Sequence, residues 1–230
     1  MYLRILAALA IFVFSCVALA QEPAVGGAYG YEDSYQINYI PNSNVGLSPG
    51  PGTGFVNIVN AGFHSSAADP EGWVCTNVYV WKHDEEPVSC CTCPTTQNEV
   101  RHLTVADLVN NQLINEPTPS SIVVKLVNTR PATLGNPNTC NAANLPTDGP
   151  APGPLGTNGG FASGIRAWSV SLETVAGVSS VSKSEFSPVP LSPFERDKLS
   201  AICRFAQQFG TGHGICSACS AGALAVPATQ

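Results

Sequence analysis

Three cysteines fall within four positions, Cys90-Cys91-Thr92-Cys93, and this cluster constrains the fold more than any other feature of the chain. In an extended segment successive side chains leave opposite faces, so Cys91 and Cys93 project one way and Cys90 the other. A strand carrying them is expected to reach two different partners or layers. Cys203, on the apolar side of a predicted helix, is a natural partner for one of them, and Cys140, inside a long irregular stretch, is another candidate for tethering.

Residues 1–20 explain why such thiols are present. Arg4, an apolar run over residues 5–13 and small residues at Ala18 and Ala20 describe a secretory signal peptide, with Gln21 left as the first mature residue. The apolar run falls short of the ~20 residues that a bilayer core requires, and no later segment supplies a span. Cys16 leaves with the signal. The mature cysteines, Cys75, Cys90, Cys91, Cys93, Cys140, Cys203, Cys216 and Cys219, are then even in number and read as a disulfide framework in an oxidising compartment. Zinc bound by Cys203, Cys216, Cys219 and His213 is the weaker reading, because thiolate ligands survive best where the cell is reducing.

The net charge of −6 becomes more negative by one when Arg4 is removed, and the remaining basic residues are scattered singly. Phosphate would repel such a surface, which argues against nucleic acid as a partner. With 11% charged residues, 21 Gly and 19 Pro, the composition favours β structure joined by long turns.

Residues 21–54 are rich in Gly, Pro, Ser, Asn and Tyr and lack an aliphatic cluster, so they are expected to form a flexible tail. Within that tail residues 33–40 alternate Tyr35, Ile37 and Tyr39 against polar neighbours, the period of a pairing strand. The folded domain is expected over residues 55–230. Its strands are predicted at residues 55–59, 73–82, 88–92, 100–104, 121–127, 164–175 and 178–186, with residues 105–115 readable as a short helix or a loop. A helix is predicted over residues 192–209. Ser192 is its N-cap, Pro193 its first residue, Glu195 the second half of a capping box, and Leu199, Ile202, Cys203, Ala206 and Phe209 its apolar face. Gly210 ends it. Many short strands between Gly and Pro turns, with one helix at the end, predict a mainly β two-sheet sandwich, Ig-like in the broad sense, with a C-terminal helix and a disulfide-rich C-terminal loop.

Motifs for chemistry are weak. No G-x-S-x-G, P-loop or H-x-x-x-H is present. Ser180-Val-Ser-Lys183 matches S-x-x-K without its companion elements. His83-Asp84-Glu85-Glu86 lacks the spaced oxygen ligands of a calcium loop and reads as an exposed hairpin tip. No nucleophile, base or metal set comes within reach of another, so a non-catalytic role without a cofactor is expected. Trp73, Tyr79 and Trp81 share one strand face. Burial is the simpler account of them, and a stacking platform for an extracellular glycan, as in carbohydrate-binding sandwiches, is the alternative.

The segments Trp73-Val-Cys-Thr-Asn-Val-Tyr-Val-Trp81, Ser89-Cys-Cys-Thr-Cys-Pro-Thr-Thr96 and Gly212-His-Gly-Ile-Cys-Ser-Ala-Cys219 together resemble a family of uncharacterised, secreted, cysteine-rich bacterial proteins, over most of the region after residue 54. The resemblance implies export and disulfides and brings no activity with it. The expectation is a secreted, extracellular or cell-surface structural or interaction protein, with the periplasm as another destination. It would self-associate into oligomers or filaments if Tyr35, Ile37 and Tyr39 insert into the sheet of a neighbouring copy, whereas closure of that strand onto its own domain, favoured by its high effective concentration, is the alternative.

Overall fold

The computed structural model describes residues 33–41, 54–62, 69–110, 112–114, 117–147, 160–175 and 178–215. The strands are β1 (Tyr35–Pro41), β2 (Gly54–Asn60), β3 (Val74–Lys82), β4 (Pro87–Thr95), β5 (Val100–Thr104), β6 (Ser121–Thr129), β7 (Ile165–Val175), β8 (Val178–Glu185), β9 (Ser187–Pro188) and β10 (His213–Ile215). The helices are α1 (Val105–Asn110) and α2 (Pro193–Phe209). A six-stranded sheet in the order β10-β4-β3-β6-β1-β9 faces a four-stranded sheet in the order β5-β2-β7-β8. Every pairing is antiparallel except that of β10 with β4. The protein is a two-sheet β-sandwich with a C-terminal helix.

Its central strands are buried on both faces. Val74, Val78 and Val80 of β3 pack between the sheets with Val56, Ile58, Leu103, Val124, Leu126 and Ile165. The opposite face of β3, carrying Tyr79 and Trp81, packs beneath α2 against Leu199, Cys203 and Ala206. The nearly all β-branched face of this strand fills the intersheet core because stiff, compact side chains interdigitate well between pleated layers. The aromatic face meets the helix and a long loop, where larger side chains bridge a wider gap.

The region predicted as a tail contains a sheet strand. β1 lies inside the six-stranded sheet, paired along its length with β6 and at Gln36 and Ile37 with β9. The folded body therefore starts before residue 55, and residues 21–32 and 42–53 lie outside the described residues. The low apolar content that suggested a tail has a specific cause. Gln36 and Asn38 point between the sheets, but both are hydrogen-bonded there. Gln36 Nε2 donates to the Ile165 carbonyl at 3.0 Å and Asn38 Nδ2 to Ser169 Oγ at 2.9 Å. Polar groups that find partners can be buried without a large penalty.

Of the predicted strand face, Tyr35 is buried, Ile37 half-buried and Tyr39 55% exposed. Tyr35 donates to Glu195 at 3.2 Å. That contact also corrects the predicted capping box. Ser192 Oγ accepts from the Glu195 N–H at 3.1 Å as expected, but the Glu195 carboxylate turns to Tyr35 and to Lys125 Nζ, at 2.5 Å, instead of reaching back to the N-cap. A cation and a phenol held by β6 and β1 outbid a neutral backbone donor. A second correction concerns Phe209, which is 63% exposed. At 100° per residue, the step from Ala206 to Phe209 drifts about 60° away from the buried arc.

Candidate functional site

Two disulfides organise one end of the molecule. Cys90 is bonded to Cys203 across 113 positions of sequence, and Cys75 to Cys140 across 65. The first pins α2 onto β4, and the second pins the long loop onto β3. Cys91 and Cys93 are disulfide-bonded as well and lie in the intersheet core, so the alternation of the cluster about the sheet is as its spacing predicts. Cys216 and Cys219 lie outside the described residues. Cys203 is bonded to Cys90, so it offers no thiolate for zinc.

Between α2, the loop over residues 137–144 and the β4–β10 edge lies a cleft of about 230 Å3. Its polar lining comes from Asn138, Thr139, Asn141, Asn144, Gln207 and His213, and none of the described residues lining it carries a formal charge at neutral pH. Local structure fixes each wall. Asn136 caps a 3-10 turn at Pro137–Thr139 by accepting from the Asn138 N–H, and Thr139 Oγ1 both accepts from the Thr133 N–H at 2.9 Å and donates to the Asn136 carbonyl at 2.8 Å. Asn141 Oδ1 accepts from the Ala143 N–H at 2.9 Å and from Gln207 Nε2 at 3.0 Å, which joins the loop to α2.

Behind the lining residues Thr92 and Ala142 runs a chain of buried hydrogen bonds. Asn77 Nδ2 donates to Thr129 Oγ1 at 3.1 Å and to the Val127 carbonyl at 3.0 Å, Thr92 Oγ1 donates to Asn77 Oδ1 at 3.0 Å, and the Ala142 N–H donates to Thr92 Oγ1 at 2.9 Å. Tyr79 Oη donates to the Ala142 carbonyl at 2.6 Å. Because each member is satisfied, the network rigidifies the cleft wall. Burial holds the Tyr79 phenol well above its usual pKa, so it remains a donor.

The remaining wall depends on a sharp turn after α2. Gly210 caps the helix in the left-handed region, and Gly212 has φ +72°, with a hypothetical Cβ 2.8 Å from the Leu113 backbone. Only glycine passes there, and it delivers His213 to a position beside Cys90. Burial lowers the His213 pKa from its ordinary 6.5, which leaves the imidazole neutral at pH 7.

The aromatic trio singled out in the sequence does not form an open platform. Tyr79 and Trp81 are buried, with Lys125 and Lys198 positioned over the Trp81 ring at 5.0 and 4.7 Å. Trp73 is half-buried, and its indole N–H donates to Glu71. Large apolar area drew two of the three rings under α2, where the helix covers them. Ser180 and Lys183 lie on the exposed strand β8, and Lys183 pairs with Glu185 at 3.2 Å. His83, Asp84 and Glu85 occupy an exposed hairpin tip, where Lys82 holds Glu86 at 2.6 Å. The described residues contain no cluster of three His, Cys, Asp or Glu side chains able to hold a metal.

The cleft was hidden in the sequence as an apparently structureless run. Its signal is the recurrence of Asn136, Asn138, Asn141 and Asn144 around Cys140, a density of side-chain amides beyond what turns alone require.

No family model matches the chain, and no curated protein matches it. Among solved structures, the chain is similar to "Crystal Structure of Thermotoga maritima 1070", with TM-score 0.36 and 12% identity over 73% of this chain and 99% of that one. It is also similar to the Anabaena sensory rhodopsin transducer, with TM-score 0.26 and 18% identity over 40% of this chain and 84% of that one. Likeness at this level does not bear on function. No helix among the described residues is long and apolar enough to cross a membrane.

Proposed function

We propose that this is an exported, non-catalytic binding module whose ligand is a small, neutral, hydroxyl-bearing molecule the size of one sugar ring. The observation that carries this reading is the uncharged amide and hydroxyl lining of the cleft. Asn and Gln side chains offer donors and acceptors together, which is what a hydroxyl group, itself both, requires. A charged ligand would enter without a counter-charge and pay for desolvation. The volume of about 230 Å3 lies below the ~300–1,000 Å3 of pockets for drug-sized ligands, which favours a single ring. Disulfides within the body fit an oxidising compartment and so support export. This reading keeps the carbohydrate class but moves its site from Trp73, Tyr79 and Trp81 to the cleft. Filament assembly by donation of β1 has the pairing of β1 within its own chain against it.

A glycan array followed by calorimetry on the mature protein tests the proposal. Binding of a neutral saccharide is expected to weaken at least tenfold in Asn141→Ala and Gln207→Ala and to be unchanged in Trp73→Ala. Absence of binding across neutral glycans, or binding indifferent to both cleft variants, would remove it.

A further inference from the structure

The outward face of α2 carries an apolar stripe that the fold does not use. Phe194, Phe205 and Phe209 are 81%, 54% and 63% exposed, and the Phe205 and Phe209 rings stack with centroids 5.7 Å apart. With 100° per residue, Phe194, Ala201 and Phe205 fall within about 40° of one another, and Phe209 lies about 40° further round. Three exposed phenylalanines on one helix are more than scattered surface apolarity accounts for. The stripe cannot rotate inward, because Cys203 on the opposite face is bonded to Cys90 and Leu199 and Ala206 are buried beneath.

We propose that this face is a docking surface for a second copy of the same chain, with the two α2 helices packed antiparallel about a two-fold axis near Ala201. The two ends of the stripe are self-complementary under that operation, while Phe205 falls opposite Lys198, whose ammonium lies over its own Trp81. A two-fold midway between residues 201 and 202 sets Phe194 of one copy opposite Phe209 of the other, at both ends of the contact. Ala201, small and exposed, sits at the crossing point, where close approach of two backbones is needed. Charge follows the same symmetry. Asp197 and Arg204 lie on one flank of the stripe, about 20° apart around the axis. An antiparallel copy brings each to within about 3 Å, along the axis, of the opposite charge. Asp197 already accepts from Arg196 at 2.7 Å but stays exposed, and Arg204, also exposed, donates one guanidinium N–H to the Ala143 carbonyl at 3.3 Å. A contact confined to one helix from each copy falls in the class of small, weak interfaces under about 1,200 Å2 in total. The pair is therefore expected at high concentration or where export concentrates the protein on a surface.

Sedimentation velocity of the full mature chain over a concentration series tests the contact and its register. The wild type is expected to shift from monomer to dimer as concentration rises. Phe194→Lys alone and Phe209→Glu alone are expected to raise the dimer Kd at least tenfold. The double variant is expected to recover most of the loss, because Lys at 194 then meets Glu at 209 of the other copy. Within one chain these positions are about 22 Å apart, so the recovery cannot be intramolecular. All three positions of the stripe are exposed, and an unchanged thermal melt confirms folding. A wild type that stays monomeric throughout the series overturns the proposal, as does a dimer that ignores both single variants. So does a monomer that binds vesicles of zwitterionic lipid through the same phenylalanines.

Discussion

Asp69 is fully buried, and its carboxylate meets the Arg130 guanidinium at 3.0 Å. The pair joins the turn before β3 to the end of β6, so it fixes where the long loop begins. Such a pair gains little over apolar residues of the same shape, but removing one member strands the other. Arg130→Met is therefore expected to lower stability by about 3–5 kcal/mol, read from urea denaturation, and Arg130→Met with Asp69→Leu to recover much of the loss. A loss below about 1 kcal/mol would place the pair among exposed ones that contribute little. His213 adds a pH dependence of defined sign. Its folded pKa lies below the ordinary 6.5 because burial disfavours the cation. As pH falls below 6.5, the unfolded chain takes up a proton that the folded chain refuses, so stability falls with it. Melting temperature in His213→Asn is expected to lose that component of its decline over the window just below pH 6.5. An identical decline in wild type and variant would assign the acid sensitivity elsewhere.

At the scale of elements, β5 was legible to the residue, and β2, β3, β7 and β8 nearly so, because their alternation is clean and their ends are marked by turn residues. That Cys203 ties the helix to one cysteine of the 90–93 cluster also followed from alternation along a strand and from the helical face, and the structure identifies that cysteine as Cys90. What escaped were features set by contacts distant in sequence. The role of β1 depends on Gln36 and Asn38 finding partners on β7 and β8, more than a hundred residues away, and no local pattern records that. The cleft escaped for the same reason, since its walls come from β4, the 137–144 loop, α2 and β10, and composition alone marks the loop as irregular. The disulfides are what hold these distant walls together. Closing loops of 113 and 65 residues restricts the unfolded chain by about 4–5 kcal/mol each in the chain-entropy model. Cys90→Ala with Cys203→Ala is expected to lose about 2–5 kcal/mol in chemical denaturation and to weaken cleft binding more than removal of Asp69–Arg130 does, because α2 forms one wall. Stability unchanged in that double variant would show that packing under α2 alone positions the helix.

For the whole molecule the decisive element is β1, which the sequence reads as a pairing strand within a flexible tail and the structure places inside a sheet of its own chain. It pairs with β6 through register positions from Tyr35↔Val127 to Pro41↔Ser121, fills the intersheet core with Ile40, and supplies Tyr35 to the cluster under α2. Deleting residues 21–41 would leave β6, rich in β-branched residues, with a bare edge, the arrangement that invites aggregation. It would also strip Ser169, Ser184 and the Ile165 carbonyl of the amide partners β1 provides. The truncated protein is expected to lose its cooperative melt or to aggregate, and a peptide spanning residues 33–41 to restore the melt when added in excess. A truncated variant that melts like the full chain would return β1 to the role of a dispensable tail. A strand donated by another copy would make the same contacts, so deletion alone does not separate closure from exchange. Dilution does. A closed chain sediments as a monomer at low concentration, whereas a strand-exchanged dimer persists on dilution and is indifferent to Phe209→Glu, since neither β1 nor β6 contains that residue. The high effective concentration of a strand tethered to its own sheet favours the closed monomer.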